Sequence, residues 1–147
     1  YLVIATRYQR AEGTTEGRFT LTVNTSGNIF DDLVTGALRL SYGSTITGRI
    51  DDSTPEILYA FYGREGEAIT VSMSRADGDL DPLLALLNAD RTPLLSDDDS
   101  GNGQDARIER YTLPATGLYY ISATRFSGSE ALPTRGNFIL VLARLTS

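Results

Sequence analysis

The apolar residues of this chain occur in short runs, and clusters of glycine, aspartate, asparagine and serine separate these runs. Within residues 68–74, Ile69, Val71 and Met73 alternate with polar residues, as expected of a strand with one buried face. Short alternating runs between turn-forming residues favour β-strands over helices. The pattern predicts strands at residues 1–8, 18–24, 43–50, 56–62, 67–75, 82–88, 106–113, 117–126 and 137–145.

Three local patterns refine this prediction. Residues 138–142 are apolar at every position, which predicts a central strand that is covered on both faces. Residues 63–66 have the length and the glycines of a hairpin connection between two strands. The one segment with helical character is 29–40, and Gly36 interrupts it. We therefore predict an all-β fold, an antiparallel, jelly-roll-like β-sandwich.

Composition excludes several classes of function. The chain contains neither cysteine nor histidine, so it can form no disulfide, no zinc–thiolate site and no Ser-His-Asp triad. Its formal net charge of −6 opposes binding to the phosphates of nucleic acids. No apolar run approaches the roughly 18 residues of a membrane-spanning helix, so membrane insertion is not expected. We expect the domain not to be an enzyme.

An internal repeat predicts how the parent protein is organised. Residues 1–8 are similar to residues 119–126, with an identical Ala-Thr-Arg in each, and residues 17–21 are similar to 136–140. The two copies lie about one domain length apart. We interpret residues 1–27 as the closing β-hairpin of a preceding copy and residues 28–147 as one complete copy. The parent protein is therefore predicted to be a tandem array.

Several segments of the complete copy together form a recognisable pattern: residues 46–51, 59–63 with Gly66, 80–87, 95–99 and 111–121. In these segments the chain resembles the bacterial pre-peptidase C-terminal domain, a family related to the collagen-binding domains of clostridial collagenases. The resemblance implies a sandwich attached to secreted or cell-surface proteins, often bound to calcium, with a non-catalytic role in secretion, substrate targeting or adhesion. It does not imply collagen as the ligand, because the aromatic strip of the collagen binders has no match here.

An acidic loop at residues 97–105 is the candidate metal site. Aspartate, asparagine, serine and carbonyl oxygens between glycines are the hard ligands that calcium prefers. The spacing from Asp98 to Glu109 also follows an EF-hand loop, although strands rather than helices are predicted on either side. The alternative is an exposed, solvated turn. The predicted calcium ligands are Asp97, Asp98, Asp99, Ser100, Asn102, Asp105 and Glu109, with Asp79 and Asp81, from a second acidic group that includes Asp77, as further candidates.

Two functions are consistent with these features. The first is a calcium-stabilised structural unit of a surface array or fibre, in which copies join through residues 1–27, because a detached hairpin has unpaired edges. The second is an accessory domain that targets a secreted protease or another exported enzyme to its substrate, or that mediates adhesion. In either case the expected partners are neighbouring copies or an extracellular protein or polysaccharide, and the expected location is outside the cell.

Overall fold

The computed structural model describes residues 36–127 and 132–145, and within these ranges it contains nine strands. Within the same ranges it contains no helix of the length and hydrophobicity needed to cross a membrane. The strands are β1 (Leu38–Arg39), β2 (Thr45–Ile50), β3 (Glu56–Gly63), β4 (Ala68–Arg75), β5 (Pro82–Leu87), β6 (Pro93–Asp97), β7 (Ala106–Thr112), β8 (Gly117–Arg125) and β9 (Gly136–Arg144).

The strands form two sheets that pack face to face. The five-stranded sheet has the order β1-β3-β8-β5-β6, and the four-stranded sheet has the order β2-β9-β4-β7. Every pair of neighbouring strands is antiparallel except β1 and β3, which are parallel. The predicted all-β sandwich is confirmed, and the exception to its antiparallel pairing is a two-residue strand at one edge.

Consecutive strands alternate between the two sheets, and only β5 and β6 are both neighbours in sequence and paired. The connection at residues 63–66 therefore joins β3 in one sheet to β4 in the other. The prediction of a hairpin there is wrong, because β3 pairs with β1 and β8 while β4 pairs with β7 and β9.

The hydrophobic core lies between the sheets. Ile69, Val71 and Met73 of β4 are fully buried, as their alternation predicts, and they belong to one cluster with Phe61 and Phe138. Burying an aliphatic side chain of this size contributes about 1.5–3 kcal/mol. The core therefore accounts for a large part of the stability of the sandwich.

Strand β9 is central, between β2 and β4, as its apolar sequence predicts. The prediction that it is covered on both faces is wrong. Phe138 and Leu140 are buried, but Ile139 on the opposite face has 37% of its surface exposed. The four-stranded sheet has its core on one face, and the opposite face of β9 is only partly covered.

Two edge strands, β1 and β6, are absent from the sequence-based prediction. Strand β1 has two residues, and β6 begins with Pro93 and contains a serine and an aspartate, which are uncommon in strands. Residues 38–39 form strand β1, so the helical character of residues 29–40 does not produce a helix there, and residues 29–35 of that segment lie outside the described residues.

The second copy of the internal repeat comprises residues 119–126 and 136–140, which belong to strands β8 and β9. These two strands lie in different sheets and do not pair with each other. The interpretation of this sequence unit as a β-hairpin is therefore wrong for the described copy. Residues 1–27 lie outside the described residues, so their role stays a prediction.

The aspartates concentrate at one end of the strands. Strands β2, β4, β6 and β8 finish at the same end of the sandwich, where β3, β5, β7 and β9 begin. We call this the acidic end, because it carries nine aspartates. They are Asp51, Asp52, Asp77, Asp79, Asp81, Asp97, Asp98, Asp99 and Asp105. Arginines lie at this end as well, and three of them pair with Asp51 or Asp52: Arg49, Arg125 and Arg135.

Candidate metal site

The pairing of β5 with β6 places Asp81 beside the acidic loop. Leu84 of β5 pairs with Asp97 of β6. Because the two strands are antiparallel, the residues before Leu84 lie beside the residues after Asp97. Asp81 precedes β5, and Asp98 and Asp99 follow β6. All three carboxylates therefore lie close enough to interact electrostatically.

The Asp81 side chain is held in an unfavourable environment. Burial, followed by the charges of Asp99 and Asp98, raises the pKa of Asp81 above its ordinary value. Its Oδ1 atom is buried and has no hydrogen-bond partner. The backbone is fixed, because the Asp81 N–H donates to Thr134 Oγ1 at 3.0 Å and the Asp81 carbonyl accepts from the Phe126 N–H at 2.8 Å. A buried carboxylate oxygen without a donor is costly, and a hard cation would satisfy it.

Asp97 and Ser100 stabilise the turn that begins the acidic loop. Asp97 Oδ1 accepts hydrogen bonds from the Arg107 N–H at 2.6 Å and the Ser100 N–H at 3.1 Å. Burial tends to raise the pKa of Asp97, but the hydrogen bonds from Ser100 and Arg107 outweigh it and lower the pKa. Asp97 Oδ1 is therefore already occupied by backbone donors.

Asp105 and Asn102 close the other side of the loop. Asp105 Oδ1 accepts from the Arg75 N–H at 2.9 Å, and its carbonyl accepts from the Gly101 N–H at 2.7 Å. The Asp105 N–H donates to the Asn102 carbonyl at 3.3 Å. A side chain at Gly101 would overlap Asp105, which explains the glycine. These contacts fasten the loop to β4 of the four-stranded sheet.

Glu109 lies apart from the loop. It is in the middle of β7, its side chain is 60% exposed, and its Oε1 pairs with Arg107 Nη2 at 3.2 Å. Glu109 is not among the carboxylates that act on Asp81. The loop is flanked by strands β6 and β7 rather than by helices. The EF-hand spacing therefore does not correspond to an EF-hand geometry here.

Asp77 and Asp79 fasten the turn before β5 to the start of β9. Asp77 accepts from the backbone N–H of Asn137 at 2.8 Å and from its side-chain amide at 2.6 Å, and these bonds lower the pKa of Asp77. Asp79 Oδ1 accepts from the Arg135 N–H at 2.9 Å. The turn itself needs Gly78, whose φ is +72°. In the second acidic group, the carboxylates of Asp77 and Asp79 are thus engaged by backbone donors near β9, whereas Asp81 feels the charges of the loop carboxylates.

Asp81, Asp98 and Asp99 approach one another without closing into a cage. Among residues 36–127 and 132–145, no three acidic side chains are arranged as a preformed metal site. The buried, unpartnered oxygen of Asp81 nevertheless fits a cation with flexible oxygen coordination, such as calcium.

Comparisons with known proteins agree with this fold. Residues 55–125 match the sequence profile of the family described as the bacterial pre-peptidase C-terminal domain, which confirms the resemblance found in the sequence. The pre-peptidase C-terminal domain of a collagenase from Bacillus anthracis has a TM-score of 0.57 and 17% identity, covering 72% of this chain and 93% of that one. A periplasmic inhibitor of g-type lysozyme from Salmonella Typhimurium, PliG, has a TM-score of 0.51 and 20% identity, covering 74% and 98%. No curated protein sequence matches the chain.

Proposed function

Since residues 55–125 match the bacterial pre-peptidase C-terminal domain, we propose that this chain provides a non-catalytic accessory domain of an exported protein, and that calcium stabilises its acidic end. The family description supports the accessory role, because it places such domains beside peptidases. The periplasmic origin of the PliG neighbour agrees with export, which is consistent with secretion or a place on the cell surface.

The observation that carries the calcium proposal is the unpartnered Oδ1 of Asp81. Asp81 would hold the ion together with Asp98 and Asp99, whose charges already act on it. Ser100 and Asn102 are close by in the loop and offer further oxygens. Asp97 and Asp105 hold the loop in place through the backbone bonds described above.

Bound calcium would offset the repulsion among these carboxylates and so stabilise the folded state. A ligand that binds only the folded state at about 100 times its Kd adds about 2.7 kcal/mol to the free energy of unfolding. For a domain near 100 residues, that corresponds to a rise in melting temperature of roughly 10–20 °C.

Thermal unfolding with millimolar calcium and with excess chelator tests the proposal. Calcium should raise the melting temperature of the wild type, whereas Asp81→Asn should show little or no increase. The matched control is Asp90→Asn, an exposed aspartate in the β5–β6 connection at the opposite end of the sandwich, which should keep the full increase. Coincident melting curves of the wild type in calcium and chelator would refute calcium binding, while leaving the accessory role open.

Assembly into an array is a second proposed function, and the similarity of residues 1–8 to residues 119–126 favours it. The suggested role of residues 1–27 in joining copies stays a prediction, because these residues lie outside the described ranges. Electron microscopy in calcium would show filaments with an axial repeat of one domain if copies assemble. The domains encoded beside this one would test the accessory role, and an extracellular protein or polysaccharide ligand remains a prediction.

A further inference from the structure

The five-stranded sheet carries a second hydrophobic cluster on its outward face, the side that points away from the core. This cluster consists of Ala60, Leu87 and Tyr120 and is separate from the core between the sheets. Ala60 lies between Tyr59 and Phe61, which both belong to the core, so its side chain projects from the opposite side of β3. Ala60 pairs with Tyr120, and Tyr120 pairs with Leu87. The three residues therefore form one apolar row across β3, β8 and β5.

This row is buried, although a sheet face that points toward water is normally polar. Ala60 has none of its surface exposed and Tyr120 has 3%. The guanidinium of Arg91 lies 5.0 Å from the centre of the Tyr120 ring and covers part of it. Half-buried apolar residues extend the cluster: Leu58, Ala85 and Leu118. An outward face of this kind is typical of a sheet on which a further layer packs.

The outward face of the four-stranded sheet is different. Ile139 of β9 has 37% of its surface exposed there. A single apolar residue at that exposure is ordinary for a protein surface. The two sheets therefore differ in what their outward faces require, and the five-stranded sheet is the one that requires a cover.

The chain before β1 leads to this outward face. Ala37 packs against the cluster and immediately precedes β1, which pairs with β3 at the edge of the sheet. Gly36 has a φ of +79°, a conformation in which glycine lets the chain turn sharply. The residues that precede Gly36 therefore connect directly to the edge of the apolar row.

The sequence of residues 28–36 has the pattern of a short helix. Asn28 is a favourable N-cap, Asp31 follows in the first turn, and the left-handed Gly36 is typical of the residue that ends a helix. The apolar residues recur at the spacing of one helix face, and they are Ile29, Phe30, Leu33 and Val34. A helix this short is stable only when its apolar face packs on another surface. Residues 29–35 would span about 10 Å as a helix, which is also about the distance from β3 to β5.

We propose that the apolar side chains of residues 29–35 dock on the outward face of the five-stranded sheet, over the row formed by Ala60, Tyr120 and Leu87. The family match begins at residue 55, so this layer lies outside the part of the chain that the match covers. Docking depends neither on calcium nor on assembly. One consequence rests on the assembly function proposed above: a docked segment would hold each copy of an array in a fixed orientation to the copy before it.

Cross-linking tests the docking, and introduced cysteines are unambiguous because the chain has none of its own. In the full chain, Asp32→Cys is combined with Ala85→Cys on the outward face of the five-stranded sheet. The matched control combines Asp32→Cys with Ile139→Cys on the outward face of the other sheet. With a short bismaleimide, the first pair should link within one chain roughly tenfold faster than the second, because docking raises the local concentration of one cysteine near the other.

Variants of the segment identify the side chains that dock. Phe30→Ser and Leu33→Ser should each lower the melting temperature by at least about 4 °C, because a buried apolar side chain is replaced by a polar one. Each should also slow the cross-linking of the pair at residues 32 and 85. The matched control is Thr35→Ser, which lies opposite the apolar residues on a helix and should change neither measurement.

Three results would overturn the proposal. The first is an equal cross-linking rate for the two cysteine pairs. The second is melting and cross-linking that Phe30→Ser and Leu33→Ser leave unchanged. The third is cross-linking between two chains in place of cross-linking within one, which a denaturing gel shows as a dimer and which would assign the outward face to a second copy. None of these results affects the accessory role, the calcium-dependent melting shift or the formation of filaments, so failure here is distinguishable from failure of those proposals.

Discussion

Replacing Arg110 by glycine should stabilise the domain, although it removes a side chain from the edge strand β7. The φ of +52° places Arg110 in the left-handed region, where a non-glycine residue costs about 1–2 kcal/mol. Glycine avoids this cost but loses about 0.5–1 kcal/mol through the greater freedom of the unfolded chain. The expected net gain is about 0.5–1 kcal/mol, and the hydrogen bond from the residue 110 N–H to Thr70 Oγ1 is kept.

Urea unfolding and thermal melting measure this effect. A gain of this size raises the melting temperature by a few degrees, since about 1 kcal/mol corresponds to about 4–8 °C for a domain near 100 residues. The matched control is Arg107→Gly on the same strand, where φ is not positive. It should lose about 0.5–1 kcal/mol, because glycine weakens a regular strand. If both variants lose stability to the same extent, the reasoning from backbone strain is wrong.

Two further predictions concern the core and the acidic end. Gly48→Ala should destabilise the domain by about 1–3 kcal/mol in urea unfolding, because a Cβ there would overlap the buried Phe138 ring, whereas Gly117→Ala, which meets open space, should be near neutral. Asp81→Asn should be more stable than the wild type in chelator, and this advantage should grow as the pH rises. Because the pKa of Asp81 is raised in the folded state, folding favours its protonated form. The stability that this form gives the wild type is fully present below the pKa of the unfolded state, and it is lost as the pH rises through the pKa of the folded state. A constant difference between the two proteins from acidic to neutral pH would contradict this assignment.

The strand pattern could be predicted from the sequence where burial imposes alternation. Ile69, Val71 and Met73 face the core as their spacing requires, because the period of a strand assigns them to one face. Pairing partners could not be predicted in the same way. The glycines at residues 63–66 mark a turn, but nothing local distinguishes a hairpin from a crossing between sheets. That choice depends on β8 and β9, which lie far along the chain.

The candidate site was predictable in composition but not in arrangement. The run from Asp97 to Asp99 indicates a metal-binding loop, yet the nearby Asp105 is used to hold the backbone of Arg75. The approach of Asp81 follows from the register of β5 against β6, which the sequence does not specify. The left-handed backbone at Arg110 was not predicted, because a positive φ at an arginine has no local sequence signal.

The order of the strands determines when during synthesis the domain can fold. The strand at the centre of the five-stranded sheet is β8, and β9 is one of the two inner strands of the other sheet. These two are synthesised after the other seven strands of the described residues. Until residues 117–144 have emerged, β3 lacks its antiparallel partner and β2 has no partner at all. Pairing that depends on such distant segments is slow, on the order of milliseconds to seconds for β-sandwiches. Neither sheet can therefore be completed during synthesis until its late-made inner strand has been added, although β5 can pair with β6, and β4 with β7, before then.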